Sequence, residues 1–247
     1  MIYLLRGDNM KNMYVKIGIA LTTILIIVGV GYLFLNKKED TKVVENTNDI
    51  NVFKKSYEKH NGEPMGKYTI LPVEVNKDAI VKISTPKEII EVLENEKALI
   101  YFGFETCPWC RNMLEAFTDA AANKKETIYY VDILDIRSNF KVKDGKLEET
   151  KGTDEYYKIL KILDSILEDY IVYDDKKVEY KTGEKRLFAP TVVSVKDNEI
   201  INFKIGTLDG IENPFEKLTD EEYDELYNIY IGMINELNTD SCGLSNC

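Results

Sequence analysis

Two cysteines separated by two residues, Cys107-Pro108-Trp109-Cys110, sit where an apolar run from Ala98 to Phe104 gives way to a helical pattern from Arg111. At the start of a helix, residues three apart share one side of the first turn, and unpaired backbone N–H groups with the positive dipole end stabilise a thiolate there. Cys107, nearest the helix start, is therefore expected to be an acidic, exposed nucleophile. Cys110, one turn further in, is placed to attack a mixed disulfide formed at Cys107 and release the partner in the other redox state. Pro108 suits a first helical position because it has no N–H to leave unsatisfied. A zinc knuckle or a pair of inert buried thiols are the competing readings. A closed zinc site needs four ligands, and the only other Cys and His residues are Cys242, Cys247 and His60.

The chemistry needs a sheet and helices to hold it. Pro86 follows Ser84-Thr85 and precedes Glu88, which predicts a capped helix start, with Ile89, Ile90, Val92 and Leu93 as its apolar face. Tyr68–Val75, Ala79–Ile83, Ala98–Phe104 and Thr127–Leu134 read as strands, and their alternation with helices implies parallel crossovers in an α/β sheet covered on both faces. Met113, Leu114 and Phe117 form the inward face of the helix after the cysteines. Within 137–185, an amphipathic helix is expected over Asp154–Ile171, flanked by charged, exposed loops at Lys141–Gly152 and Asp174–Lys185. Leu187–Val195 and Ile200–Ile205 read as an antiparallel hairpin with Pro190 at its head, and Thr219 starts a last helix.

The N-terminal part has a different composition. Ile17–Leu35 carries no charge over 19 residues, and a helix of that length spans about 28 Å, enough to cross a hydrocarbon core. No small-x-small cleavage site follows, so the run is expected to be a single-pass signal anchor in the cell membrane. Arg6, Lys11 and Lys16 on one side are matched by Lys37, Lys38 and Lys42 on the other, so charge does not orient it. A short N-terminal tail before a large domain favours an extracytoplasmic domain. The expected organisation is a tail and anchor over 1–36, a polar stalk over 37–66 that includes a solvated His60, a domain over 67–240, and a tail over 241–247. In that tail Cys242 and Cys247 could close a small second disulfide or act as a swinging relay. The net charge of −11 argues against a nucleic-acid partner.

The strand, Cys107-Pro108-Trp109-Cys110 and helix unit, the Ala189-Pro190-Thr191 strand head and the Lys204-Ile205-Gly206 hairpin end together resemble the thioredoxin superfamily over about residues 67–238. The resemblance implies a thioredoxin-like α/β fold, a mixed central sheet with helices on both faces and a helical insertion at 137–185. It also implies that Pro190 is the cis-proline facing the cysteines. Pro108, Trp109, Ala189 and Pro190 then form the surface on which a partner's cysteine lies, with Ala189 pairing to an extended substrate segment. Anchor, insertion and Thr106-Cys107-Pro108-Trp109-Cys110 are together similar to membrane-anchored thioredoxin-like proteins of Gram-positive bacteria, including the bacteriocin transport accessory type. One departure stands out: Tyr101 occupies the place of the buried acid with which thioredoxins take up the resolving cysteine's proton, which leaves water or Glu105 for that task.

The resulting expectation is a membrane-tethered thiol–disulfide oxidoreductase acting on thiols and disulfides of exported proteins. It is served by a membrane or extracytoplasmic redox partner and requires no metal or organic cofactor. The second expectation is a non-catalytic accessory or binding module of an export system, with a vestigial redox pair.

Overall fold

The computed structural model describes residues 49–239. The anchor, the first part of the stalk and the Cys242/Cys247 pair lie outside the described residues. Among the described residues, no helix is long and apolar enough to cross a membrane.

Helix α1 (49–58) opens the described chain. It is followed by a minimal antiparallel pair, β1 (Pro64–Met65) and β2 (Tyr68–Thr69), then β3 (Ile80–Ile83), α2 (Pro86–Asn95), β4 (Ala98–Gly103), α3 (Pro108–Lys124) and β5 (Thr127–Asp132). A second stretch comprises β6 (Asn139–Lys143), β7 (Lys146–Thr150), α4 (Asp154–Ile162), a 3-10 turn at Asp164–Ile166, β8 (Glu168–Tyr173) and β9 (Glu179–Arg186). The chain closes with β10 (Thr191–Lys196), β11 (Glu199–Ile205) and α5 (Asp220–Asn238). The architecture is mixed α/β. One five-stranded sheet has the order β11-β10-β4-β5-β3, with β3, β5 and β4 parallel and β10 and β11 antiparallel.

The central strand β4 is buried along its whole length, and its alternation divides the core. Leu99 and Tyr101 face a cluster built from α1, α3 and α5, while Ala98, Ile100 and Phe102 face one built from α2 and α4. Thr85 caps α2, accepting from the Glu88 N–H, and Glu88 accepts in turn from the Thr85 N–H, so two otherwise orphaned donors are satisfied. Thr219 and Glu222 repeat this arrangement at the start of α5.

Two expectations about the first half change. The stalk expected over 37–66 ends earlier, because α1 packs Ile50, Phe53 and Tyr57 into the core and Phe53 and Tyr57 are fully buried. Most of Tyr68–Val75 is irregular rather than strand. Side chains next to α1 take its backbone groups: Asn61 bridges both the N–H and C=O of Val73, and Glu58 accepts from the Val75 N–H.

The 137–185 segment also differs from expectation. The helix stops at Ile162, and Glu168–Tyr173 becomes a strand paired with β9, consistent with its Tyr-Ile-Val-Tyr β preference. The flanks expected as loops are hairpins. Asp144 and Gly145 both have positive φ, the conformation that a two-residue turn between β6 and β7 demands.

Candidate functional site

Cys107 is the N-cap of α3 and Pro108 its first residue. The Cys107 Sγ accepts the Cys110 N–H at 3.3 Å and donates to the Ala189 carbonyl oxygen at 3.3 Å. Both cysteines are free thiols. The hydrogen bond from Cys110 lowers the Cys107 pKa, aided by the backbone N–H groups of Cys110 and Trp109 and by the Arg137 cation, while burial opposes them. Burial pushes the Cys110 thiol well above its ordinary value, and proximity to Cys107 adds to this. One thiol is thereby biased towards thiolate and its neighbour towards the protonated form. Cys107 is less open than expected: the residue is 4% exposed, and the Ala189-Pro190 corner lies across it.

Two hydrogen bonds hold that corner. The Ala189–Pro190 peptide bond is cis. The Gly206 N–H donates to the Pro190 carbonyl at 2.8 Å, and the Thr191 hydroxyl donates to the Phe188 carbonyl at 2.7 Å. Pro108, Trp109 and Ala189 are half-buried and Phe188 is exposed, so an apolar rim surrounds the Cys107 thiol.

Beneath Cys110 lies a tyrosine cluster. The Tyr101 ring runs along β4 under Gly103, where a Cβ would come within 2.7 Å of its Cε2. Its hydroxyl lies 2.8 Å from the Tyr57 hydroxyl, which reaches in from α1, and it favours the Cys110 thiolate against the larger opposing effect of burial. Tyr130 and Tyr230 are buried in the same cluster, and their hydroxyls have no hydrogen-bond partner among the described residues. Glu105, the alternative proton acceptor, is engaged elsewhere. Its carboxylate pairs with Lys59 at 2.8 Å and with His60 Nε2 at 3.3 Å. His60, expected to be solvated, bridges Glu105 and Glu63, the latter at 2.6 Å from its Nδ1.

Arg111, immediately after Cys110, is almost wholly buried. Its guanidinium donates to the carbonyls of Leu71 at 2.7 Å, Tyr57 at 2.9 Å and Glu105 at 2.8 Å, and to the Asn61 side chain. It thereby ties α1, the irregular segment before β3 and the loop before Cys107 to the first turns of α3. Sequence reasoning passed over this residue, although a charge four positions after Cys107 must lie on the same inward helical face. Among the described residues, no group of three or more His, Cys, Asp or Glu side chains is arranged to hold a metal ion. The sequence-derived residues Cys107, Cys110, Pro108, Trp109, Ala189 and Pro190 converge on one place. Comparison with family models and with curated proteins finds no match to this chain.

Proposed function

We propose that this chain is a thioredoxin-like thiol–disulfide oxidoreductase, tethered to the membrane by residues 17–35 and working on exported proteins. The observation that carries the reading is the asymmetric dithiol at the start of α3, with Cys107 activated and facing the cis Ala189–Pro190 corner and Cys110 protonated behind it. The sheet order and the helices on both faces are compatible with that family's fold.

In the reducing direction the Cys107 thiolate attacks one sulfur of a client disulfide. A bond forms between Cys107 and that sulfur, and the other client sulfur departs as a thiolate that takes a proton from water. Cys110 then attacks Cys107 Sγ, closing the Cys107–Cys110 disulfide, and its proton goes to the second departing client sulfur. Two electrons pass from the dithiol to the client, and the oxidising direction reverses every step. Hydrogen bonding from Tyr101 steadies the Cys110 sulfur as it gains negative charge, the same physics as an oxyanion hole applied to sulfur. An extended client segment pairs with the backbone at Ala189, whose carbonyl is freed when Cys107 gives up its thiol proton.

The test is mixed-disulfide trapping. Cys110→Ser should accumulate client adducts at Cys107, and Cys107→Ser should trap none and turn over nothing. If Cys107→Ser leaves export of clients unchanged and Cys110→Ser traps nothing, the domain is a binding module rather than an oxidoreductase.

A further inference from the structure

Arginine is scarce in this chain, with four residues, Arg6, Arg111, Arg137 and Arg186, against a total of 32 Lys and Arg. None of the three described ones pairs with a carboxylate; every ion pair among the described residues uses Lys or His. Arg111 is satisfied by oxygens, as described above. Arg186 is 5% exposed, donates to the Ser138 carbonyl at 2.5 Å and hydroxyl at 3.3 Å, and lies 4.6 Å from the centre of the Tyr170 ring.

Arg137 differs from both. It is half-buried, its guanidinium sits 4.8 Å from the centre of the Phe104 ring, and its side chain donates no hydrogen bond among the described residues. Phe104 immediately precedes the cysteine loop, and its carbonyl accepts the Cys107 N–H at 3.2 Å. Arg137 therefore stands beside the nucleophile with five unclaimed donors. The groups that face it electrostatically are Arg186, the Cys107 thiol, the Tyr156 and Tyr170 hydroxyls and the Asp132 carboxylate. Arg186 repels it, Cys107, Tyr156 and Tyr170 favour its charge, and the Asp132 carboxylate attracts it but forms no ion pair with it and accepts the Leu134 N–H at 2.8 Å instead. A partly desolvated guanidinium with stacked support and no carboxylate paired to it fits a planar anion supplied from outside.

We propose that Arg137 binds a carboxylate carried by the redox partner close to its reacting sulfur, so that the site selects acidic disulfides and thiols. The proposal rests on the oxidoreductase reading and names its substrate class. Such a carboxylate is supplied either by an acidic residue beside a client cysteine or by a small anionic thiol. Both sources must present sulfur to Cys107 while the carboxylate meets the guanidinium fork. The chain's net charge of −11 repels anions in general, so a local cation at the nucleophile has a large effect on which partner reacts.

The experiment uses the reduced full chain in detergent, with Trp109 fluorescence as the signal. It measures second-order rates with 3,3′-dithiodipropionate (anionic), hydroxyethyl disulfide (neutral) and cystamine (cationic). Each rate is divided by that of the same disulfide with dithiothreitol, which removes intrinsic reactivity. The wild type should prefer the anionic over the neutral disulfide by about five- to tenfold at low salt. The preference should shrink as ionic strength rises. Arg137→Gln should abolish it, and Arg137→Lys should retain part of it. Because the readout is a ratio, any general change in Cys107 reactivity cancels. Peptide disulfides with Asp or Asn beside the cysteine separate the sources: an Asp preference assigns the site to clients, and a preference confined to dithiodipropionate assigns it to a small thiol. Equal ratios in wild type and Arg137→Gln would overturn the proposal. Failure of the wild type to react even with hydroxyethyl disulfide would instead sink the redox reading.

Discussion

The hydroxyls of Tyr57 and Tyr101 lie 2.8 Å apart, joining α1 to the central strand directly beneath Cys110. Tyr101 in turn favours the Cys110 thiolate against the larger opposing effect of burial, so two neutral hydroxyls stand beneath this sulfur. A hydrogen bond to a charged group is worth about 1.5–3 kcal/mol. Tyr101→Phe should therefore slow the attack of Cys110 on a preformed Cys107 mixed disulfide by about ten- to a hundredfold. The pH dependence of that step should also move upward. Tyr57→Phe, which removes only the second donor, should have a smaller effect. Stopped-flow release of the partner thiol reads both, and unchanged resolution in Tyr101→Phe would contradict the assignment.

Gly103 makes room for that ring. A Cβ there would come within 2.5 Å of Tyr101 Cζ, and the ring is fully buried, so it has nowhere to retreat. Gly103→Ala should lower stability by about 1–3 kcal/mol, the usual cost of overpacking. It should also slow resolution in the same sense as Tyr101→Phe. Denaturant unfolding and the same stopped-flow assay test the two effects separately.

The opposite shifts of the two thiols give a pH signature. The Cys107 pKa is lowered by the hydrogen bond from Cys110, and the Cys110 pKa is raised by burial. Carbamidomethylation of Cys107 should therefore inflect below the ordinary thiol range, and Cys110 should resist alkylation throughout it. For a group whose folded pKa is depressed, the stabilisation is complete above the unfolded value and is lost as pH falls through the folded value. Cys107 thus stabilises the reduced fold increasingly as pH rises towards the ordinary thiol range. Cys110 acts in the other sense and destabilises it as pH rises above that range. The stability of the reduced protein, measured against the Cys107→Ala/Cys110→Ala variant, should pass through a maximum near the ordinary thiol pKa, and Cys107→Ala measured against the same reference should lack the rising limb.

Helix α1 belongs to the domain. Phe53 lies 4.8 Å from Tyr130, centroid to centroid, and is fully buried, so Phe53→Ala should cost about 3–5 kcal/mol. A fragment beginning at residue 49 should unfold cooperatively in urea. One beginning at residue 67 should not, because it loses Phe53, Tyr57 and the Asn61 acceptor of Arg111. Equal stability of the two fragments would return 49–66 to the status of a stalk.

The legible parts of the chain are those governed by local chemistry. The strand, cysteine pair and helix unit, the Thr85 and Thr219 caps, and the β10–β11 hairpin are each written in adjacent residues, and each lies where the pattern puts it. The parts that escaped depend on distant partners or on masked signals. In α1 the apolar positions 50, 53 and 57 are diluted by Lys, Ser and Glu, so their burial is visible only once Tyr101 and Tyr130 are in place. The Asp144-Gly145 turn was present as a signal, but the charged residues around it read as exposed loop. Leu163, Ile166 and Leu167 keep a helical spacing across what is a 3-10 turn and a strand entry, so the pattern carries the expected helix past its end at Ile162. The chemical environment of Cys110 has no local signature for a related reason: Tyr57 stands 44 residues from Tyr101, and nothing local links them.

The most direct test of the central claim is a redox titration of the full chain carrying Cys242→Ser and Cys247→Ser, equilibrated in thiol–disulfide buffers and followed by Trp109 fluorescence. Trp109 is the single tryptophan and lies between Cys107 and Cys110, so it reports on that pair alone. A single two-electron transition, abolished by Cys107→Ser and with a midpoint between about −270 and −120 mV, is the predicted result. A midpoint at the lower end indicates a reductase, and one at the upper end an oxidant that installs disulfides. The absence of any two-electron transition would contradict the account.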